Sequence, residues 1–138
     1  MKQRKVDRSK AAFQVSQISS EDPEPIVVVA RSVMLARKVS MYLKSDCAGA
    51  FIQKIENELI PLLRKQKGFL DEMTLIAPSG KEAHSYSFWE GTEDAENYGL
   101  TAFSDATKLL AHLIDGKPRV QTYVVANSTF YKMAAALA

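Results

Sequence analysis

One cysteine, Cys47, in 138 residues leaves the chain without an internal disulfide framework or a cysteine metal cluster. That fits a reducing compartment, and a cytoplasmic location is expected. Long apolar runs are also missing. The best, Ile26 to Ala36, is interrupted by Arg31 and Ser32 and is too short to span a bilayer. It follows Pro23, Pro25 and an acidic cluster, the wrong flank for a signal peptide, so no membrane partner is expected. Net charge is scarce too, at +2. Before Met34 there are six Lys/Arg against four Asp/Glu, and from Met34 onward twelve against twelve. The basic excess therefore sits in an N-terminal arm and not on a domain, which disfavours nucleic acid as a partner. No Ser-His-Asp signature, glycine-rich phosphate loop or metal-ligand spacing occurs, so neither a metal nor a cofactor is implied.

What is present is an ordinary globular composition, 46% apolar and 25% charged, in a chain of single-domain length. Residues 1–25 are polar, Ser-rich and charged. They are expected to be disordered, because so few apolar groups cannot offset the entropy of ordering them. Ile26 to Val33 reads as an extra strand or a linker. The folded domain is expected to cover residues 34–138, with residues 1–33 a dispensable extension of the reading frame.

From Arg37 to Lys44, Val39, Met41 and Leu43 alternate with Lys38, Ser40 and Lys44, a strand pattern. Asp46 is placed to cap the helix that follows. Ala48, Phe51, Ile52, Ile55, Leu59, Leu62 and Leu63 form one apolar stripe of that helix. Pro61 falls off the stripe, toward solvent, where it is expected to bend the helix at a cost of roughly 3 kcal/mol. Gly68 should end it, behind Arg64, Lys65 and Lys67 in the last turn. Phe69 to Ala77 and Ala83 to Glu90 read as a hairpin around "PSGKE". Thr92 should cap a short helix. A further helix carries Phe103, Ala106, Leu109, Leu110, Leu113 and Ile114 and is expected to stop at Gly116 and Pro118. Arg119 to Lys132 reads as the last strand. The order is βαββαβ, a ferredoxin-like α+β fold with a four-stranded antiparallel sheet and helices on one face. The strands are apolar on both faces, and two helices cover only one. The uncovered face is expected to meet a second copy of the chain, giving a homodimer.

"IPLLRKQKGF", "SFWEGTEDAENY", the short helix after it, "GKPRV" and a long final strand resemble the antibiotic biosynthesis monooxygenase (ABM) domain, over about Lys38 to Met133. The resemblance implies subunits that pair sheet to sheet as a dimeric α+β barrel. It also implies a choice among cofactor-free oxygenases of polyphenolic substrates, haem-degrading enzymes, small-molecule isomerases and proteins of unknown role, the oxygenase reading giving a small aromatic or enolisable substrate. Tyr98 stands where the haem-degrading relatives carry a tryptophan, and Lys108 where they carry a haem-ligating histidine; both count against haem. Two readings therefore remain: a cofactor-independent monooxygenase and a non-catalytic dimeric binding or accessory protein.

The candidate residues follow from chemistry. Trp89 and Tyr98 are expected to bracket a small aromatic ligand, with a packing role for Trp89 as the plain alternative. His84 has the best intrinsic pKa for a general base if it faces a cavity, and otherwise lies at the surface. Asn127, the amide in the apolar last strand, either binds a substrate oxygen or marks where that strand leaves the core. His84, Tyr98 and Asn127 are thus the catalytic candidates, and Trp89, Tyr98 and Asn127 the substrate-binding ones. His112 reads as an ordinary helix residue and Cys47 as an ordinary small residue.

Overall fold

The computed structural model describes residues 34–130. The expectations for residues 1–33 and for Tyr131 and Lys132 lie outside those residues. Strand β1 (Leu35–Leu43) leads into a helical segment of three joined parts: α1 (Ala48–Lys54), a π-helical stretch (Ile55–Leu59) and α2 (Ile60–Arg64). Strands β2 (Phe69–Ile76) and β3 (Glu82–Trp89) form a hairpin. Helices α3 (Thr92–Leu100) and α4 (Phe103–Leu110), a 3₁₀ turn (Ala111–Leu113) and β4 (Ile114–Val124) complete the order. The four strands pair antiparallel as β2-β3-β1-β4, the ferredoxin-like arrangement, with the helices on one face.

Side-chain alternation on β1 decides what reaches that face. Leu35, Arg37, Val39 and Met41 stand opposite Trp89, Ser87, Ser85 and Ala83 of β3, so these eight share one side of the sheet. From the helices, Phe51, Ile55, Leu59, Leu63, Tyr98 and Leu110 are buried. Full burial of Phe51 contributes about 1.5–3 kcal/mol. Ile52, assigned to the stripe from the sequence, is exposed instead.

The reason lies in the π stretch. Buried positions Phe51, Ile55, Leu59 and Leu63 recur every fourth residue. In an α-helix such a row drifts by about 40° per step. The wider π turn, in which the Ile60 N–H reaches back five residues to the Ile55 carbonyl, takes up that drift. It lies directly before Pro61, which is exposed and sits in the first turn of α2, so the wide turn also spaces its ring from the preceding carbonyls. Gly68 ends the segment at φ 82°, and Asp94 occupies the space that any side chain there would need.

Four boundaries differ from expectation. Asp46 does not cap α1; it takes a left-handed turn conformation (φ 59°), and Cys47 holds the cap position. Gly91, not Thr92, precedes α3. The last helix does not run to Ile114, because Gly116 and Pro118 lie within β4 rather than before it. They fit there because β4 is an edge strand and its register against β1 shifts between Ser40 and Tyr42. Ser40 faces Arg119 and Tyr42 faces Asp115, so Gly116, Lys117 and Pro118 form a bulge, where a missing N–H costs no ladder bond. With β4 beginning and ending early, Asn127 falls outside it. No helix among the described residues is long and apolar enough to cross a membrane.

The second sheet face is mixed: Lys38, Ser40, Asp71, Glu82, His84 and Arg119 share it with an apolar patch at one end. Met34, Ala36 and Phe88 form a buried cluster there, joined by Leu70, Met73, Tyr86 and Val125. Tyr123 is exposed opposite Ala36, and Leu75 and Tyr42 are exposed further along the same face.

Candidate functional site

Four aromatic rings run in sequence between the sheet and α3–α4. Phe69 meets Trp89 edge-on at 5.7 Å, Trp89 stacks on Tyr98 at 4.9 Å, and Tyr98 meets Phe103 edge-on at 6.0 Å. Trp89 is fully buried, and its indole N–H donates to Ser87 Oγ at 2.9 Å. The turn "GTED" brings the two rings together by starting α3 directly after β3. The result differs from a bracket: the rings already touch, and a ligand between them would have to part them.

Beyond Tyr98 lies a cavity of about 30 Å³, walled by Val39, Met41, Leu59 and Leu110, with Tyr98 and Phe103 at one side. That volume suits about two water molecules. Ser85, Ser87, Tyr98 and Thr107 supply its polar groups. Ser85 also links the cavity to a carboxylate, donating to Glu72 Oε2 at 2.9 Å, and the Thr74 hydroxyl donates to the same oxygen.

Burial pushes the Tyr98 phenol up to about 12, and the positive charge of Arg37 only partly opposes this. Tyr98 is therefore a neutral hydrogen-bond donor at physiological pH, not a base. Arg37 is the residue sequence reasoning missed. It projects from β1 to the helix side, is only 8% exposed, and its guanidinium carbon lies 4.8 Å from the Phe103 ring centroid and 5.4 Å from that of Tyr98. Its Nε has no hydrogen-bond partner, and among the described residues no carboxylate pairs with it. Burial lowers its pKa, with Tyr98 acting in the opposite direction. Two cation–π contacts return about 2 kcal/mol each when desolvated, against an effective cost of several kcal/mol for burying an ion. The rings alone leave that cost partly uncompensated. A signal was present: Arg37 continues the inward row Leu35, Val39, Met41, Leu43 and is its one charged member.

The other candidates are not brought to this cavity. His84 lies on the opposite sheet face, with Nδ1 3.1 Å from Ser40 Oγ and Nε2 3.6 Å from Glu82 Oε1. Asn127 is exposed in the segment after β4. Lys108 and His112 are exposed, and Cys47 is half-buried. Among the described residues no group of His, Cys, Asp or Glu is arranged to hold a metal ion.

This architecture is that of the ABM proteins, as the motifs implied. A monooxygenase of Streptomyces coelicolor, solved with nanaomycin D, superimposes with a TM-score of 0.60 at 16% identity, over 72% of this chain and 93% of that one. SnoaB of Streptomyces nogalater, a cofactor-independent oxygenase, gives 0.59 at 9% identity over 70% and 97%. A Bordetella bronchiseptica protein assigned as an antibiotic biosynthesis monooxygenase gives 0.57 at 14% identity over 66% and 95%. At these identities the likeness establishes the fold. No family model matches the sequence, and no curated protein matches it.

Proposed function

We propose that the chain is a cofactor-independent monooxygenase of a small aromatic or enolisable substrate, working as a homodimer in the cytoplasm. The observation that supports this best is the convergence of Ser85, Ser87, Tyr98 and Thr107 on an otherwise apolar cavity. The cofactor-independent oxygenase among the structural neighbours supports the same chemistry.

In this reaction a base removes a proton from an activated C–H, and the carbanion passes an electron to O₂. Recombination forms a C–O bond. Loss of water then breaks the O–O bond, so that a CH₂ and O₂ become a C=O and H₂O. Tyr98, neutral and buried, donates to the enolate oxygen where negative charge develops. Glu72 is the carboxylate in contact with the cavity lining, through Ser85, and accepts the proton by that relay. His84 has no part in it from the far side of the sheet.

A ring-sized substrate exceeds a cavity of about 30 Å³, so α4 or β4 must shift to admit it. The same small volume favours the second reading, a dimeric binding or accessory protein without turnover. Oxygen consumption with a panel of quinols separates the two. The oxygenase reading expects catalytic O₂ uptake, lowered about 10²–10³-fold in Tyr98→Phe. A quinol that raises the melting temperature but consumes no oxygen would make the chain a binding protein.

A further inference from the structure

We propose that Ser85 and Ser87 read the hydrogen-bond polarity of the ligand and select a neutral hydroxy-carbonyl compound. Its hydroxyl donates to Ser85, and its carbonyl oxygen accepts from Ser87. This rests on the reading of the cavity as a ligand site and adds the ligand's functional groups to it.

Both residues belong to the covered face of β3, line the cavity and are buried. A hydroxyl has one proton and two lone pairs, and the two serines spend them differently. Ser85 donates its proton to Glu72 Oε2 at 2.9 Å, an oxygen that also accepts from the Thr74 hydroxyl. Toward the cavity Ser85 can therefore only accept. Ser87 is the reverse. It accepts the Trp89 indole N–H, a group that can only donate, at 2.9 Å. No acceptor among the described residues takes the Ser87 proton, which is left for the cavity. The helix wall repeats the pairing. Thr107 donates to the Ser104 carbonyl at 2.8 Å and can only accept further, while the neutral Tyr98 phenol donates.

A matching ligand has one proton to give and one oxygen to receive. A carboxylate would set its lone pairs against those of Ser85 and, behind them, the Glu72 carboxyl group. A quinone, with acceptors alone, would leave Ser85 unmatched in a desolvated site. A phenol bearing a ketone, or the enol of a dicarbonyl, satisfies both serines. Two residues along one strand separate them by about 6.5 Å, which suits a hydroxyl and a carbonyl on different carbons of one ring. The serines sit on an inner strand, outside the elements that must shift to admit that ring.

The test titrates the full chain calorimetrically with three probes of nearly equal size. 3-Hydroxyacetophenone carries both groups, 3-fluoroacetophenone lacks the hydroxyl proton, and 3-ethylphenol lacks the carbonyl. The first is expected to bind about tenfold tighter than either of the others, the scale of one hydrogen bond in a desolvated site. Ser85→Ala should abolish the preference over 3-fluoroacetophenone and keep that over 3-ethylphenol; Ser87→Ala should do the opposite. A merely structural loss would weaken all three probes alike. Equal binding of the probes to the wild type, or variants that do not show this crossed pattern, would overturn the proposal alone. No saturable binding of any probe would overturn the ligand site together with it. Ser87→Ala strips the Trp89 N–H of its acceptor; should it fail to fold, the wild-type preferences and Ser85→Ala decide the matter.

Discussion

Trp89 is the residue at which the aromatic packing converges. It touches Phe69 and Tyr98 and donates to Ser87, and no part of it reaches solvent. Trp89→Ala should therefore cost about 3–5 kcal/mol in urea unfolding, the range for deleting a large buried aromatic. Tyr98→Phe keeps the stack and should leave the melting temperature nearly unchanged. Its pH behaviour carries a clearer signature. Folding raises the Tyr98 pKa from 10.0 to about 12, so the folded chain holds the phenolic proton more tightly than the unfolded one. The associated stability is complete below pH 10 and is lost as pH rises toward 12. It amounts to about 2–3 kcal/mol. Urea unfolding between these limits should show that loss in the wild type and less of it in Tyr98→Phe; identical slopes would contradict the assignment. That Trp89 and Tyr98 lie close together was legible in the sequence, because a tight turn joins the strand and the helix that carry them. Arg37 was overlooked although it continues the inward row of β1, because a lone charge beside a short alternating run looks like the start of a solvated segment. His84 misled for the opposite reason. Intrinsic pKa recommended it, while strand parity placed it on the far face.

At the scale of elements, the helix between β1 and β2 shows how much a period can hide. The apolar stripe and the exposed Pro61 were readable, but the π turn was not, since a four-residue recurrence also lies within the tolerance of an α-helical stripe. Because the wide turn already accommodates the proline ring, Pro61→Ala should gain well under the ~3 kcal/mol that a clashing interior proline costs. Chemical denaturation measures this, and a gain near the full amount would show the ring to be strained. The order of strands and helices was equally clear from alternation and turn residues. The last boundary was misread because Gly116 and Pro118 look like a helix stop wherever they occur. Only the position of β4 at the sheet edge makes them admissible inside a strand.

For the molecule as a whole, the apolar patch on the second face argues for a partner. Tyr42, Leu75 and Tyr123 are exposed on the face whose one end holds the buried apolar cluster, and exposed apolar side chains of this kind favour association. Sedimentation equilibrium at micromolar concentration should find a dimer, and Leu75→Lys should shift it toward monomer by placing a charge on that face. A wild-type monomer would remove the sheet-to-sheet pairing. A chain beginning at Met34 should melt within a degree or so of the full one, if the preceding residues bury little; a clear drop would assign them a structural part.

The bulge in β4 bears on how such copies can go wrong as well as right. An exposed strand edge is an open row of donors and acceptors that invites neighbouring chains to add on without limit. At Gly116–Lys117–Pro118 that row is interrupted by an irregular register, a charge and an absent N–H. Straightening it, for example with Pro118→Val and Gly116→Thr together, would give an uninterrupted pairing edge. The expected penalty is not slower chemistry but a gradual conversion of clear solution into sheet-rich aggregate.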